Sequence, residues 1–189
     1  MFPPSKHANA ILKGLKGIEI GGAAHNAFGL DTINVDRVHH THPDFAPYAI
    51  EQTRLCGSVM TVDVVAPGDN LPFPDKSFDF VISSHVIEHF FDPIAALKEW
   101  ARVAREYIYI IFPKRNALPS DVDKPLTPLQ EHIDRHLGVI PHKDTDEHHS
   151  RWTLDSFIIM CEHFDFNVVG KLESDDKVGN GSAVVIKLD

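Results

Sequence analysis

Two short segments concentrate the side chains of this chain that could do chemistry together. Gly17-Ile18-Glu19-Ile20-Gly21-Gly22-Ala23-Ala24-His25-Asn26 is an apolar run that ends in an acid and a glycine turn. Asn34-Val35-Asp36 closes a second apolar run on another acid. In an open α/β sheet, ligands bind beyond the carboxyl ends of the strands, where glycines let them approach the backbone. A carboxylate at the end of the second strand can accept both hydroxyl protons of a ribose. The two segments therefore read as a nucleoside pocket, against the plainer alternative of a tight turn after a buried strand.

The turn is not a full G-x-G-x-x-G, because Ala23 and His25 stand where further glycines are expected and no helix cap marks a pyrophosphate seat. That leans toward a cofactor without phosphates, such as S-adenosylmethionine, and away from a dinucleotide. A second concentration of reactive groups lies in residues 114–150. There His132, His136, His142, His148 and His149 alternate with Asp121, Asp123, Asp134, Asp144 and Asp146. Three readings are open: a solvated polar loop, a substrate-binding lid that carries a general base, or a metal site. Imidazole titrates near neutral pH and can accept a hydroxyl proton. His132 and His136 lie one helical turn apart, but the glutamate of an H-E-x-x-H motif is absent, and no metal ligand is assigned. Glu88-His89 falls at the carboxyl end of a strand, where a structural or helix-capping histidine competes with a place in the pocket.

Hydrophobic periodicity supplies the elements that must position these groups. A helix is expected over residues 5–16. Strands are expected over 17–20, 32–35, 59–62 (ending at Asp63), 78–84 and 107–112, the last stopped by Pro113. Asp92-Pro93 begins the clearest helix, an N-cap followed by proline in the first turn. Thr127-Pro128 begins another, and a helix over 152–164 is capped at Thr153. Segments 167–172 and 183–188 form a closing antiparallel pair. The alternation predicts one doubly wound α/β domain over residues 1–189, with a mostly parallel seven-stranded sheet and a lid-like insertion at 114–150 after the fifth strand.

Bulk properties limit the partners. The 189 residues carry a formal net charge of −9, so no general attraction to nucleic acid or anionic membranes is expected. No apolar run is long enough to cross a bilayer, and Met1-Phe2-Pro3-Pro4-Ser5-Lys6 lacks the apolar core of a signal peptide. Cys56 and Cys161 have no metal-type spacing, and a reduced, cytoplasmic setting is the simpler expectation.

Leu71-Pro72-Phe73-Pro74-Asp75-Lys76-Ser77-Phe78-Asp79-Phe80-Val81, Val86-Ile87-Glu88-His89 and Asp92-Pro93-Ile94-Ala95-Ala96-Leu97-Lys98-Glu99-Trp100-Ala101-Arg102-Val103 follow one another in order. This series resembles the class I S-adenosylmethionine-dependent methyltransferases, over roughly Gly17 to Pro113, in the branch with an LPFPDxSFD segment before the fourth strand. Lys124-Pro125-Leu126-Thr127, Glu131-His132 and His149-Ser150-Arg151-Trp152-Thr153 look like a subgroup found beside polysaccharide-assembly enzymes. The resemblance implies a Rossmann-like methyltransferase fold with S-adenosyl-L-methionine as cofactor. It implies Glu19 and Gly21 at the methionine end, Asp36 on the ribose, Asp63 with Val64 near the adenine, and His85 beneath the methionine moiety. The spacing from Asp63 to Leu71 is longer than in many relatives.

The expected activity is O-methylation of a small-molecule or glycan-related acceptor, with His132 as first choice of base and His149 as second. A binding protein that keeps the pocket without catalysis is the alternative from another class. An NAD-linked oxidoreductase is a third reading, poorly served by Gly21-Gly22-Ala23-Ala24.

Overall fold

Near-continuous apolar runs belong to strands covered on both faces, and β1 (Lys16–Ile20), β4 (Phe78–Ser84) and β5 (Ala104–Pro113) are such runs. In the computed structural model they form the centre of a seven-stranded sheet of order β3-β2-β1-β4-β5-β7-β6. The remaining strands are β2 (Asp31–Asp36), β3 (Val64–Val65), β6 (Asn167–Leu172) and β7 (Gly181–Lys187). β1 to β5 pair in parallel, and β7 runs antiparallel to both its neighbours. The structure describes residues 4–22, 28–117 and 119–189, without the side chains of Glu51, Leu55, Cys56 and Ser120. Ala23, Ala24, His25 and Asn26 of the glycine turn, the first residues of the N-terminal segment, and the Cys56 thiol lie outside the described residues.

Strand alternation sends successive side chains to opposite faces. Val81, Ile108 and Ile110 pack with α3 (Pro93–Val103) and α5 (Leu154–His163), joined by α4 (Leu129–His136). Phe80, Ile82, Tyr109 and Ile111 instead meet Ala8 and Leu12 of α1 (Lys6–Leu12) on the other face. α2 (Ala46–Cys56) lies between β2 and β3 in the chain. The doubly wound, mostly parallel seven-stranded sheet expected from the sequence is thus present. Among the described residues, no helix is long and apolar enough to cross a membrane.

Local chemistry explains where the elements begin and where expectation and structure part. Asp92 Oδ1 accepts from Ile94 N and Ala95 N, both at 3.0 Å, so α3 starts where the Asp-Pro pair places it. Thr153 and Ser156 cap α5 reciprocally, a capping box with serine in the third position. Thr127 does not cap α4. Its Oγ1 accepts from Arg151 N at 3.0 Å and its N–H donates to Arg151 O at 2.9 Å, which ties the insertion to the approach to α5. The third strand also differs, lying at Val64–Val65 and not at 59–62. Side chains take up the earlier amides: Gln52 Oε1 accepts from Met60 N, and His40 Nδ1 accepts from Val62 N at 3.1 Å.

Asp92 also meets His136 Nδ1 through its second oxygen at 2.9 Å, linking the start of α3 to the end of α4. Replacing Asp92 with Ala should therefore cost about 1–2 kcal/mol in urea denaturation. Asp92→Asn, which keeps a capping oxygen, should recover most of that loss; equal stability of the Ala variant and the wild type would show that the cap contributes nothing.

Candidate functional site

The carboxyl ends of β1, β2 and β4 meet at one edge of the sheet, and the glycine turn after β1 forms its centre. Gly21 N donates to Val35 O at 2.8 Å with φ +68°, a conformation that favours glycine. A Cβ on Gly21 would lie 2.5 Å from Val86 Cγ2, and one on Gly22 would lie 2.8 Å from Asn34 Oδ1. Two side chains that sequence reasoning missed hold this turn. Asn34 Oδ1 accepts from Gly22 N at 3.2 Å, and Gln52 Nε2 donates to Gly22 O at 3.0 Å. Asn34 was visible in the sequence as a polar residue inside an apolar strand, which signals a buried hydrogen-bonding duty.

Beside this edge lies a cavity of about 260 Å³. Gly21, Asp36 and Arg37 line it from the ends of β1 and β2, and Ala66-Pro67-Gly68-Asp69 from the segment after β3. His85, Val86, His89, Phe90 and Phe91 line it from beyond β4. The stretch His142–Asp146 and His149 come from the insertion. Asp146 fastens that stretch across the opening: its Oδ2 accepts from Arg37 Nη2 at 2.6 Å and from Tyr48 OH at 2.7 Å.

The expected site residues divide accordingly. Gly21, Asp36, His85 and His149 are brought together around the cavity, while Glu19, Asp63, Val64 and His132 are not in its lining. Glu19 sits buried behind the turn, 3.1 Å from where a Gly22 Cβ would be. Burial pushes its carboxyl up to about 7, with the Lys177 ammonium pulling the other way. Burial also raises Asp36 above the ordinary carboxylate value, opposed by the backbone amides of Val38 and Arg37.

Asp63 spends its carboxylate on Asn34 N, which donates to Oδ2 at 2.8 Å, while Asp63 N donates to Asn34 O at 2.9 Å. Because β3 starts later than the sequence suggests, the carboxyl edge falls at Ala66–Asp69 and not at Asp63-Val64. His132 is corrected for a different reason. It is 1% exposed, its Nε2 accepts from Trp152 Nε1 at 2.9 Å, and its ring stacks on the indole with centroids 5.3 Å apart. It packs between α4 and α5, and that burial depresses its pKa to about 4.

The histidines around the cavity are in different states. His85 has φ +57°, a left-handed backbone that is uncommon outside glycine and often found at functional sites. Burial lowers its pKa to about 4. His89 is lowered to about 4 as well, first by burial and then by the neighbouring His148. His149 packs edge-on against Phe91 and its Nε2 lies 3.1 Å from Thr145 O. A carbonyl only accepts, so that contact puts the proton on Nε2 and leaves the Nδ1 lone pair free. Glu88 is buried with His85 Nδ1 3.8 Å and His148 Nε2 4.0 Å from its Oε1, and burial pushes its carboxyl up to about 8.

Comparison with known proteins agrees with this architecture. Residues 21–112 match the family profile described as "Methyltransferase domain". The chain is 29% identical over 97 residues to 2-methyl-6-phytyl-1,4-hydroquinone methyltransferase 1, chloroplastic, from Oryza sativa subsp. japonica. That match covers 49% of this chain and spans 28% of the length of the rice protein. Among solved structures, a S-adenosylmethionine-dependent methyltransferase of Thermotoga maritima, described as a possible histamine N-methyltransferase, superposes with a TM-score of 0.57 at 18% identity, over 96% of this chain and 86% of its own. Magnesium protoporphyrin IX methyltransferase of Synechocystis, solved with bound S-adenosylhomocysteine, gives 0.54 at 12% identity, over 97% and 78%. These structural likenesses are likenesses of fold.

The state of His132 has a measurable consequence. Its folded pKa of about 4 lies below the ordinary 6.5, so it contributes stability above pH 6.5 that is lost as the pH falls toward 4. His132→Ala should lose about 1–3 kcal/mol at pH 7, since it strands the Trp152 N–H, and should show a shallower acid slope in that window. Denaturation curves at stepped pH provide the check. A His132→Ala variant with unchanged stability and unchanged slope would show that the Trp152 contact carries no weight.

Proposed function

We propose that the chain carries a class I S-adenosylmethionine-dependent methyltransferase domain and transfers the cofactor's methyl group to a hydroxyl of a small-molecule or glycan-related acceptor. The observation that carries the proposal is the single cavity in which Gly21 and Asp36, from the sheet edge, face His149 and the His142–Asp146 stretch of the insertion. In this reading Asp36 accepts from the ribose hydroxyls and the Gly21 turn receives the methionine end. Glu19 acts from behind that turn as a source of negative charge near the ammonium. Asp69, which lines the cavity after β3, takes the place near the adenine expected of Asp63 and accepts from the adenine amine. His85 lies toward the methionine moiety.

The reaction is an in-line displacement. An acceptor oxygen forms a bond to the methyl carbon, the carbon–sulfur bond breaks, and the sulfonium becomes the neutral thioether of S-adenosylhomocysteine. The protein's part is alignment and exclusion of water. The hydroxyl proton must leave as attack proceeds, and His149, with its Nδ1 lone pair free, is the proposed base. The insertion over residues 114–150 serves as lid over the acceptor, within a single domain. A reducing, cytoplasmic setting belongs to the same reading, in keeping with the buried free thiol of Cys161.

Calorimetry should detect S-adenosylmethionine and S-adenosylhomocysteine but not NAD; tight NAD binding with silence toward the sulfur nucleosides would overturn the cofactor assignment. Asp36→Ala loses charge-assisted bonds worth about 1.5–3 kcal/mol, so cofactor affinity should fall roughly ten- to a hundredfold with the fold intact. His149→Ala should lower turnover by roughly 10²–10⁴ with little change in cofactor affinity. Cofactor binding without S-adenosylhomocysteine formation across a broad panel of hydroxyl acceptors would favour a non-catalytic binding protein instead.

A further inference from the structure

Glu88, His89 and His148 each offer a ligand atom within 4.8 Å of the other two. Glu88 and His89 lie on the short 3₁₀ turn Ile87–His89 after β4, and His148 comes from the end of the insertion. The Glu88 carboxylate is 1% exposed and neither of its oxygens has a hydrogen-bond partner. The nearest histidine nitrogens are His85 Nδ1 at 3.8 Å and His148 Nε2 at 4.0 Å, both beyond hydrogen-bond reach. Buried polar groups without partners are rare and need a reason.

The surroundings of His148 supply one. Its Nδ1 lies 2.5 Å from Asp121 Oδ2, and Asp121 Oδ1 accepts from Arg151 Nε at 2.9 Å. That bond holds the proton on Nδ1 and turns the Nε2 lone pair toward Glu88. A carboxylate bound to the far nitrogen of an imidazole is the usual support of a metal-ligating histidine. His89 Nδ1 is buried and without a hydrogen bond, 3.3 Å from Asp146 Oδ1. The backbone fixes the arrangement, since Glu88 O accepts from His149 N at 2.8 Å and Ser150 N at 3.2 Å.

We propose that Glu88, His89 and His148 bind a divalent first-row transition-metal ion in the wall of the cavity. Two imidazoles and one carboxylate suit Mn²⁺, Fe²⁺, Co²⁺ or Zn²⁺ better than Ca²⁺ or Mg²⁺ and leave coordination positions open. Ligands about 2.1 Å from one ion lie no more than about 4.2 Å apart, so small side-chain rotations close the group. His89 lines the cavity, so the open positions face the space proposed for the acceptor. A hydroxyl bound there would lose its proton more readily. That catalytic role rests on the methyl-transfer reading; the site itself does not.

The test uses the full chain, stripped with chelator, and titrates Co²⁺ by visible absorption and Mn²⁺ by calorimetry. S-Adenosylhomocysteine binding is measured on the same samples. One ion per chain is expected, with affinity reduced at least about a hundredfold by Glu88→Gln and by His148→Asn. His163→Asn, an exposed histidine at the end of α5, should leave it unchanged. Should His148→Asn fail to fold, Asp121→Asn should still weaken binding about ten- to a hundredfold by removing the orienting carboxylate. A wild-type protein that binds S-adenosylhomocysteine and no metal, or metal binding indifferent to Glu88→Gln and Asp121→Asn, overturns the proposal. Metal binding with these sensitivities but no S-adenosylhomocysteine binding keeps the site and overturns the methyl-transfer reading.

Discussion

The cofactor edge of this protein depends on the hydrogen bonds of one buried amide, Asn34. Its Nδ2 donates to Thr61 O at 2.8 Å, and its Oδ1 accepts from Gly22 N at 3.2 Å. Its backbone N–H and C=O engage the carboxylate and N–H of Asp63. A buried amide is tolerated when both its ends are satisfied, and satisfying Asn34 joins the glycine turn, the end of β2 and the approach to β3. The Val86 side chain fills the place of a Gly21 Cβ, so the turn has no room to shift. The position of Asp36 relative to Gly21 follows from that junction.

The insertion is attached by contacts of unequal strength. At its base, Thr127 and Arg151 exchange backbone and side-chain bonds, and Glu88 O receives two amides from His149 and Ser150. At its tip, Asp146 reaches Arg37 across the opening, in an ion pair whose side chains are 53% and 43% exposed. Pairs of that exposure contribute about 0–1 kcal/mol. The base is therefore the more firmly held part of the insertion and the tip the part whose attachment costs least to break, in keeping with the acceptor lid proposed above.

The acids of the molecule fall into two kinds. Asp175 is buried but accepts from the amides of Lys177, Val178, Gly179 and Gly181, which hold its carboxyl below the ordinary value despite that burial. Glu19 and Glu88 are raised to about 7 and about 8 by burial. A carboxyl whose folded pKa lies above its unfolded value favours the fold at low pH and loses that contribution as the pH rises through the folded value. These two acids thus weaken the fold near neutral pH.

Linear pattern determined the sheet, the Asp92 and Thr153 caps, and the lining positions of Gly21 and Asp36. Strand alternation, caps and glycine turns are set by neighbours within a few residues, so their signals survive in one sequence. The rest required the tertiary structure. Where β3 begins was decided by Gln52 and His40 taking the amides of Met60 and Val62. His132 became a packing residue because Trp152, twenty positions on, supplies its hydrogen bond. Glu88 and His89 came within 4.8 Å of a third potential ligand only when the insertion returned His148 to them, with Asp121 behind it. An imidazole or carboxylate carries the same letter in a core, a cap or a ligand set, and its role is chosen by the groups that folding brings within a few ångströms of it.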